Sequence, residues 1–312
     1  SMYFPYLRGK QFELIALREI SEIMANKIES ISPIIEPVKN SSTLKSTLLE
    51  LRNKNINFNI IINPSVGDLK NSSGTVLDVI QEQLNGFSNY QIAIIVNEKT
   101  NVPEMLNILR ERDIEFAGIT LIHEAVTNVS AIIDFTDDFS FIINVIYFQK
   151  TSRRYNREFD RNTWVGLEDF FITQLKNVDY LAVEDSQFSE EHLYYQQDGF
   201  KGFSDFLTIG DNYSETGFLP YAVAIHLSYA DNDNKIRIKH FVSDSNDDAS
   251  DIGGKFAEAL EKLVTWCEEN NIPDTIAILQ FKELYRTGHF PGLGSIKKLS
   301  IMHHIELVLN LI

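Results

Sequence analysis

Cysteine is nearly absent: Cys267 is the only one in 312 residues. A single thiol excludes an internal disulfide and fits a reducing compartment, so the expected location is cytoplasmic. Positive charge is also scarce. There are 28 Lys and Arg against 44 Asp and Glu, a formal net charge of −16. A surface this acidic repels polyanions and argues against bulk nucleic-acid binding. No apolar run approaches the roughly 20 residues needed to cross a bilayer, so no membrane partner is expected. Nothing resembles a signal peptide, and Ser1 ahead of Met2 reads as a cloning remnant before the natural start. Several chemical signatures are missing as well. A GxSxG elbow, a GxxxxGK[ST] loop, and HxH, HExxH or CxxC spacings are all lacking, which argues against the enzyme classes they mark.

What the chain does have is apolar runs. Hydrophobic residues make up 44% of it and charged residues 23%, enough for a large buried core. Short runs alternate with helical patterns: YFPYL at 3–7, ISPIIEPV at 31–38, FNIIIN at 58–63, YQIAIIV at 90–96, EFAGITLI at 115–122, FSFIINVIYF at 139–148, VDYLAVE at 178–184 and FSDFLTIG at 203–210. Between the last three, LEDFFITQL at 167–175 reads as a helix. Near-continuous Ile- and Val-rich runs mark parallel strands buried on both faces. Regular alternation of strand and helix implies right-handed crossovers in one sheet. The expected fold class is therefore α/β, a (β/α)8 TIM-like barrel. A doubly wound open sheet is the alternative, weakened because no Gly-rich fingerprint follows the first run.

The remainder has a different texture. YAVAIHLSYADNDNKIRIKHFVSD, 221–244, reads as a hairpin turning at ADNDN, and helices are expected at 253–270, 275–286 and 295–311. Residues 1–212 are expected to supply the barrel, and 213–312 a hairpin and helical elaboration completing the same domain.

In a barrel, side chains just past the strand C-termini converge on one mouth. Arg8 and Lys10 follow the first run, Glu36 ends the second, and Asn63 ends the third. Asn97 and Glu98 follow the fourth, His123 and Glu124 the fifth, Glu184 the seventh and Asp211 the eighth. Glu36 lies between Ile35 and Pro37 in an apolar run, so it is expected to point inward and to need a cation, Arg8 or Lys10. These positions suit a site where Arg8, Lys10, Asn63 and Asp211 bind an anion. Glu36 or Glu184 would be the base, and His123 or His226 the acid. The competing reading of Arg8 and Glu36 is a buried ion pair that only fixes the barrel.

His226 and His240 are expected to face each other across the hairpin. They would act either as a hydrogen-bonded neutral pair or, with Asp205 or Asp211, as metal ligands. HFPGLGSIKK, 289–298, is a turn entering a helix. Its amides with Lys297 and Lys298 could hold a phosphate, or it is simply a turn capped by Ser295. No cofactor is specified. A pyridoxal barrel needs a Schiff-base lysine on an early strand, and Lys10 lies just beyond one.

The segments YFPYLRGKQFELIALRE, ISPIIEPV, NPSVGD, GFSDFLTIGDNY and AVAIHLSY, in that order, resemble a bacterial family related to the phage "beta protein" family. The likeness runs to the terminal SIKKLSIMHHIEL. It implies a barrel-like fold, a setting of phage–host conflict (phage defence) and a small nuclease-like protein as partner, and it implies no catalytic residues. Two readings follow. One is a barrel enzyme, a hydrolase of phosphate esters, acting on or binding a small anionic ligand such as a phosphate ester or nucleotide. The other is a non-catalytic partner or regulator of a nuclease-like protein.

Overall fold

The apolar runs pair side by side and close into a ring in the computed structural model, which describes residues 3–215, 217 and 219–312. Ser1 and Met2, read above as remnant and start, lie outside the described residues. The ring consists of β1 (Tyr3–Arg8), β2 (Ile34–Glu36), β3 (Asn59–Ile61), β4 (Gln91–Val96), β5 (Gly118–His123), β6 (Ile142–Tyr147), β7 (Trp164–Glu168) and, after β8 (Asp185–Ser189), β9 (Gly202–Asp205). All neighbours in the ring are parallel. The closing pairs are β7 with β9 and β9 with β1, in the register Glu168↔Asp205 and Pro5↔Asp205. The fold is thus α/β, a closed barrel of eight parallel strands. Helices α1 (Gln11–Glu19), α2 (Ser21–Asn26), α3 (Ser42–Asn53), α4 (Ser73–Leu84), α5 (Val102–Glu111) and α6 (Ser130–Thr136) connect the first six strands. The later connections carry only short helices, α7 (Arg153–Asn156) and α8 (Glu191–Tyr194).

Strand residues alternate between the two faces of a sheet. Phe4, Tyr6, Ile34, Ile61, Ala93, Ile95, Ile122, Val145, Tyr147, Val165 and Leu167 share one packed cluster that fills the ring. Those positions fix which side chains point inward. Tyr6 and Tyr147 pack at a tilt against Phe206 near the C-terminal rim, with ring centroids 4.8 and 5.4 Å from it. At the other end, Asn59 accepts from Thr120 Oγ1 (2.6 Å) and Gln91 Nε2 (3.1 Å), so inward polar groups there are satisfied within the wall.

The chain divides into two compact units. The first runs to Asp169 and resumes over Glu191–Phe206; the second is Phe170–Glu190 with Leu207–Ile312. The second unit holds a three-stranded antiparallel sheet, β10 (Ala224–Ala230), β11 (Ile236–Val242) and β8, and the helices α9 (Ile252–Glu269), α10 (Ile276–Thr287) and α11 (Leu293–Leu311). The hairpin and the three helices lie where the sequence places them. The seventh strand does not. Residues 178–183 fall within a 3-10 helix, Asn177–Val183, with Glu184 just past it, and the ring position is taken by Trp164–Glu168, whose last two residues the sequence pattern places in a helix. Gly166 makes the WVGLE strand possible beside Phe148: a Cβ there would fall 2.6 Å from Phe148 Cε2. The eighth strand is shorter than expected, ending at Asp205.

No helix among the described residues is long and apolar enough to cross a membrane.

Candidate functional site

The inward alternation of β1 and β2 carries Tyr6, Arg8 and Glu36 to the C-terminal rim, and the structure brings Arg8 and Glu36 together as expected. Glu36 is fully buried. Its Oε1 accepts from Arg8 Nε (3.1 Å) and from the Tyr6 hydroxyl (2.6 Å). Its Oε2 accepts from the Ser65 amide (2.8 Å) and the Ser65 hydroxyl (2.9 Å). Burial and the adjacent Glu36 carboxylate hold the Tyr6 phenol well above its usual pKa, so it remains a donor. The Arg8 guanidinium also lies 5.3 Å from the Tyr6 ring centre and 5.4 Å from that of Phe206, a cation–π arrangement. Glu13 of α1 accepts from the Arg8 amide (3.1 Å). The stretch YLRGKQFE is thus the hinge of a buried charge cluster, with Lys10 as the N-cap of α1.

Asn63 bonds Ile95 in both directions (2.8 and 2.9 Å), extending the β3–β4 ladder beyond its last strand residue. With Ser65 and Asn97 it lines a cleft of about 830 Å³. The N-terminal turns of α4 and α5 open on this cleft through Ser73, Gly74 and Asn101. Lys70 and Lys99 line it too, and neither makes an ion pair among the described residues. Glu98 and Glu104 share the lining, so positioned donors rather than net charge would hold an anion here.

The expected acid, His123, is placed elsewhere. Ile122 fills the ring, so His123, the next residue, faces the helical layer, against Phe159 and Tyr155. Its Nδ1 lies 2.7 Å from the Tyr155 hydroxyl and its Nε2 lies 2.8 Å from Asn144 Oδ1. The Asn144 amide donates to Thr163 Oγ1 (2.9 Å), which leaves Oδ1 to accept from a protonated Nε2 and Nδ1 to accept from Tyr155. Burial lowers the His123 pKa to about 4, so the ring is neutral at pH 7. The inward residue at this strand end is Glu124, close enough to raise the Tyr6 pKa.

Glu184, Asp211 and His226 belong to the second unit. Glu184 follows the 3-10 helix at 177–183, and Asp211 lies past the last barrel strand; the strand-end positions assigned to them are occupied by Glu168 and Asp205. Glu168 has its pKa raised by burial but follows the inward-facing Leu167, hence faces outward. Asp205 accepts from the Tyr3 hydroxyl (2.8 Å). His226 and His240 do face each other, in direct register, with Nδ1 atoms 2.7 Å apart. Burial, then His240, then Lys297 lower the His226 pKa to about 3, and burial lowers that of His240 to about 4. This is the neutral, hydrogen-bonded pair. Among the described residues no group of three or more His, Cys, Asp or Glu is arranged to hold a metal ion.

Strand-end counting does not reach Tyr6 or Ser65, and it names Glu124 without a role. Alternation separates Glu124 from His123, whereas Ser65 comes to Glu36 only through the β3–α4 loop. The chain matches no family model, no curated protein and no solved structure.

Proposed function

We propose that the barrel binds a small phosphate ester, a nucleotide or sugar phosphate, at the C-terminal rim. The observation that carries this reading is the coincidence of the Arg8–Glu36–Ser65 cluster with the 830 Å³ cleft, since Ser65 belongs to both. Lys70, Lys99 and the first turns of α4 and α5 supply charge-assisted donors for the phosphate. Glu98 and Glu104 supply acceptors for hydroxyls of the ester's organic part. Glu36, with both oxygens already accepting two bonds, serves as the anchor of Arg8 and Ser65 rather than as a base. In a hydrolytic step, Glu124 would move the proton.

Calorimetry with adenosine monophosphate and ribose 5-phosphate tests this. The double substitution Lys70→Ala/Lys99→Ala is expected to weaken binding about tenfold or more. Absence of saturable binding at millimolar ligand, or equal affinity in the double variant, ends the proposal. Release of inorganic phosphate that is lost in Glu124→Gln is the outcome of a hydrolase. Binding without release makes the protein a non-catalytic binder.

A second reading, docking to a nuclease-like protein in phage–host conflict, is favoured by exposed apolar side chains in the second unit. Ile172, Leu175, Leu219 and Tyr221 are 70%, 93%, 62% and 59% exposed. The hydrogen bond from Asn177 Nδ2 to Ala222 O (2.9 Å) draws their two segments together.

A further inference from the structure

The second unit contains a cavity of about 340 Å³, at the small end of the roughly 300–1,000 Å³ typical of ligand sites. Its walls are about equally polar and apolar, and the apolar part includes the rings of Phe171 and Tyr180 and the side chains of Ile209, Val223 and Ile296. Its polar lining includes Thr173, Asn177 and Ser300, and three further groups, Thr208, His226 and Lys297. Thr208 is only 4% exposed, and its hydroxyl has no hydrogen-bond partner among the described residues. A buried hydroxyl without a partner is costly, and that cost is removed when a ligand accepts from it. His226 lines the cavity with Nδ1 committed to His240, and Nε2 makes no bond among the described residues. Lys297 is exposed, makes no ion pair among the described residues, and is near enough to His226 to affect it electrostatically.

Lys297 sits near the start of α11, the HFPGLGSIKK segment. The helix begins at Leu293 rather than Ser295, and its N-cap is Gly292, which has no side chain to satisfy the first amides. Leu293 also lines the cavity, so the positive end of a long helix dipole opens on it. Among the described residues, the cavity therefore combines a cation without an ion pair, two unused hydrogen-bonding groups and an aromatic wall.

We propose that this cavity binds a small carboxylic acid with an apolar or aromatic body. The carboxylate is held by Lys297, the Thr208 hydroxyl and His226 Nε2–H, and the body packs against Phe171 and Tyr180. His240 Nδ1–H donates to His226 Nδ1 in this state, which places the remaining ring hydrogen of His226 on Nε2, toward the anion. A single cation on the wall matches a monoanion. A phosphate dianion would leave one of its charges without a cation on this wall, at a desolvation cost. The proposal uses no barrel residue and stands independently of the ester site.

The experiment is titration of the full chain with 3-phenylpropionate, with the neutral 3-phenylpropionamide and with phenyl phosphate. The acid is expected to bind saturably and about tenfold or more tighter than the amide. Lys297→Met, at an exposed position, and Thr208→Val, which keeps the side-chain shape, are each expected to weaken the acid about tenfold, and Lys297→Met to narrow the acid–amide difference. Circular dichroism confirms folding of both variants, and the acid–amide comparison in the unsubstituted protein decides the matter without them. No binding at millimolar acid, equal affinity for acid and amide, or tighter binding of phenyl phosphate overturns the proposal.

Discussion

Burying Glu36 takes a full negative charge out of water, and donors from Tyr6, Arg8 and Ser65 replace the lost hydration. Breaking a buried ion pair from one side leaves the other charge stranded, at a cost of about 3–5 kcal/mol. Glu36→Gln is therefore expected to lower unfolding free energy by about that amount in urea melts; a loss below about 1 kcal/mol would mean that water screens the pair. The Arg8–Glu36 contact was legible because a carboxylate inside an apolar run demands a cation and the neighbouring strand offers one. The surroundings of His123 were not legible: its partners Asn144 and Tyr155 lie 21 and 32 residues away, and only the barrel wall unites them.

Loops decide whether that cluster assembles. Ser65 reaches Glu36 because the NPSVGD turn folds back on the end of β2, where Leu69 N bonds Val38 O (3.2 Å). Gly67 makes the turn feasible. Its φ is +83°, and a Cβ there would lie 2.5 Å from Val38 Cβ and 2.7 Å from Val38 O. Left-handed strain and the clash together predict that Gly67→Ala costs about 2–4 kcal/mol, read as a lowered thermal midpoint. The same substitution at Gly288, whose φ is positive but whose surroundings are open, is the control for strain alone. Among the strands, β1 to β6 were readable because each is an apolar run flanked by a helical pattern. VDYLAVE has the same composition as those runs yet forms a 3-10 helix, while WVGLE, short and interrupted by glycine, supplies the seventh strand. Composition cannot separate them: the ring selects a segment that pairs with both β6 and β9. The third strand of the second sheet, DSQFS, has no apolar pattern and was invisible for that reason.

Acid sensitivity belongs to the whole molecule. His123 and His303 in their separate units, and the His226–His240 pair, have pKa values lowered to about 3 or 4 from an ordinary 6.5, chiefly by burial. Between those values the unfolded chain binds more protons than the folded one, so stability is full above pH 6.5 and declines as pH falls toward 4. The thermal midpoint is expected to drop steadily from pH 6.5 to 4.5, with proton uptake on unfolding measurable by calorimetry in buffers of different ionisation enthalpy. A flat profile over that window would contradict the burial of these rings. His123→Gln should flatten the slope by about one proton's share.

The order of synthesis meets an obstacle in the route of the chain, which leaves the first unit after Asp169, returns at Glu191 and departs again after Phe206. On the ribosome, the ring lacks its closing member until residues 202–205 have been made, well after the other seven strands. Until then β1 and β7 are unpaired margins of a curled, apolar sheet, the kind of surface that recruits other nascent chains. The strand that would join the second sheet, residues 185–189, is translated during this interval, while its partner at 236–242 does not yet exist. Neither unit can finish before translation has passed the other's earliest piece, so the two mature as interleaved products rather than in succession.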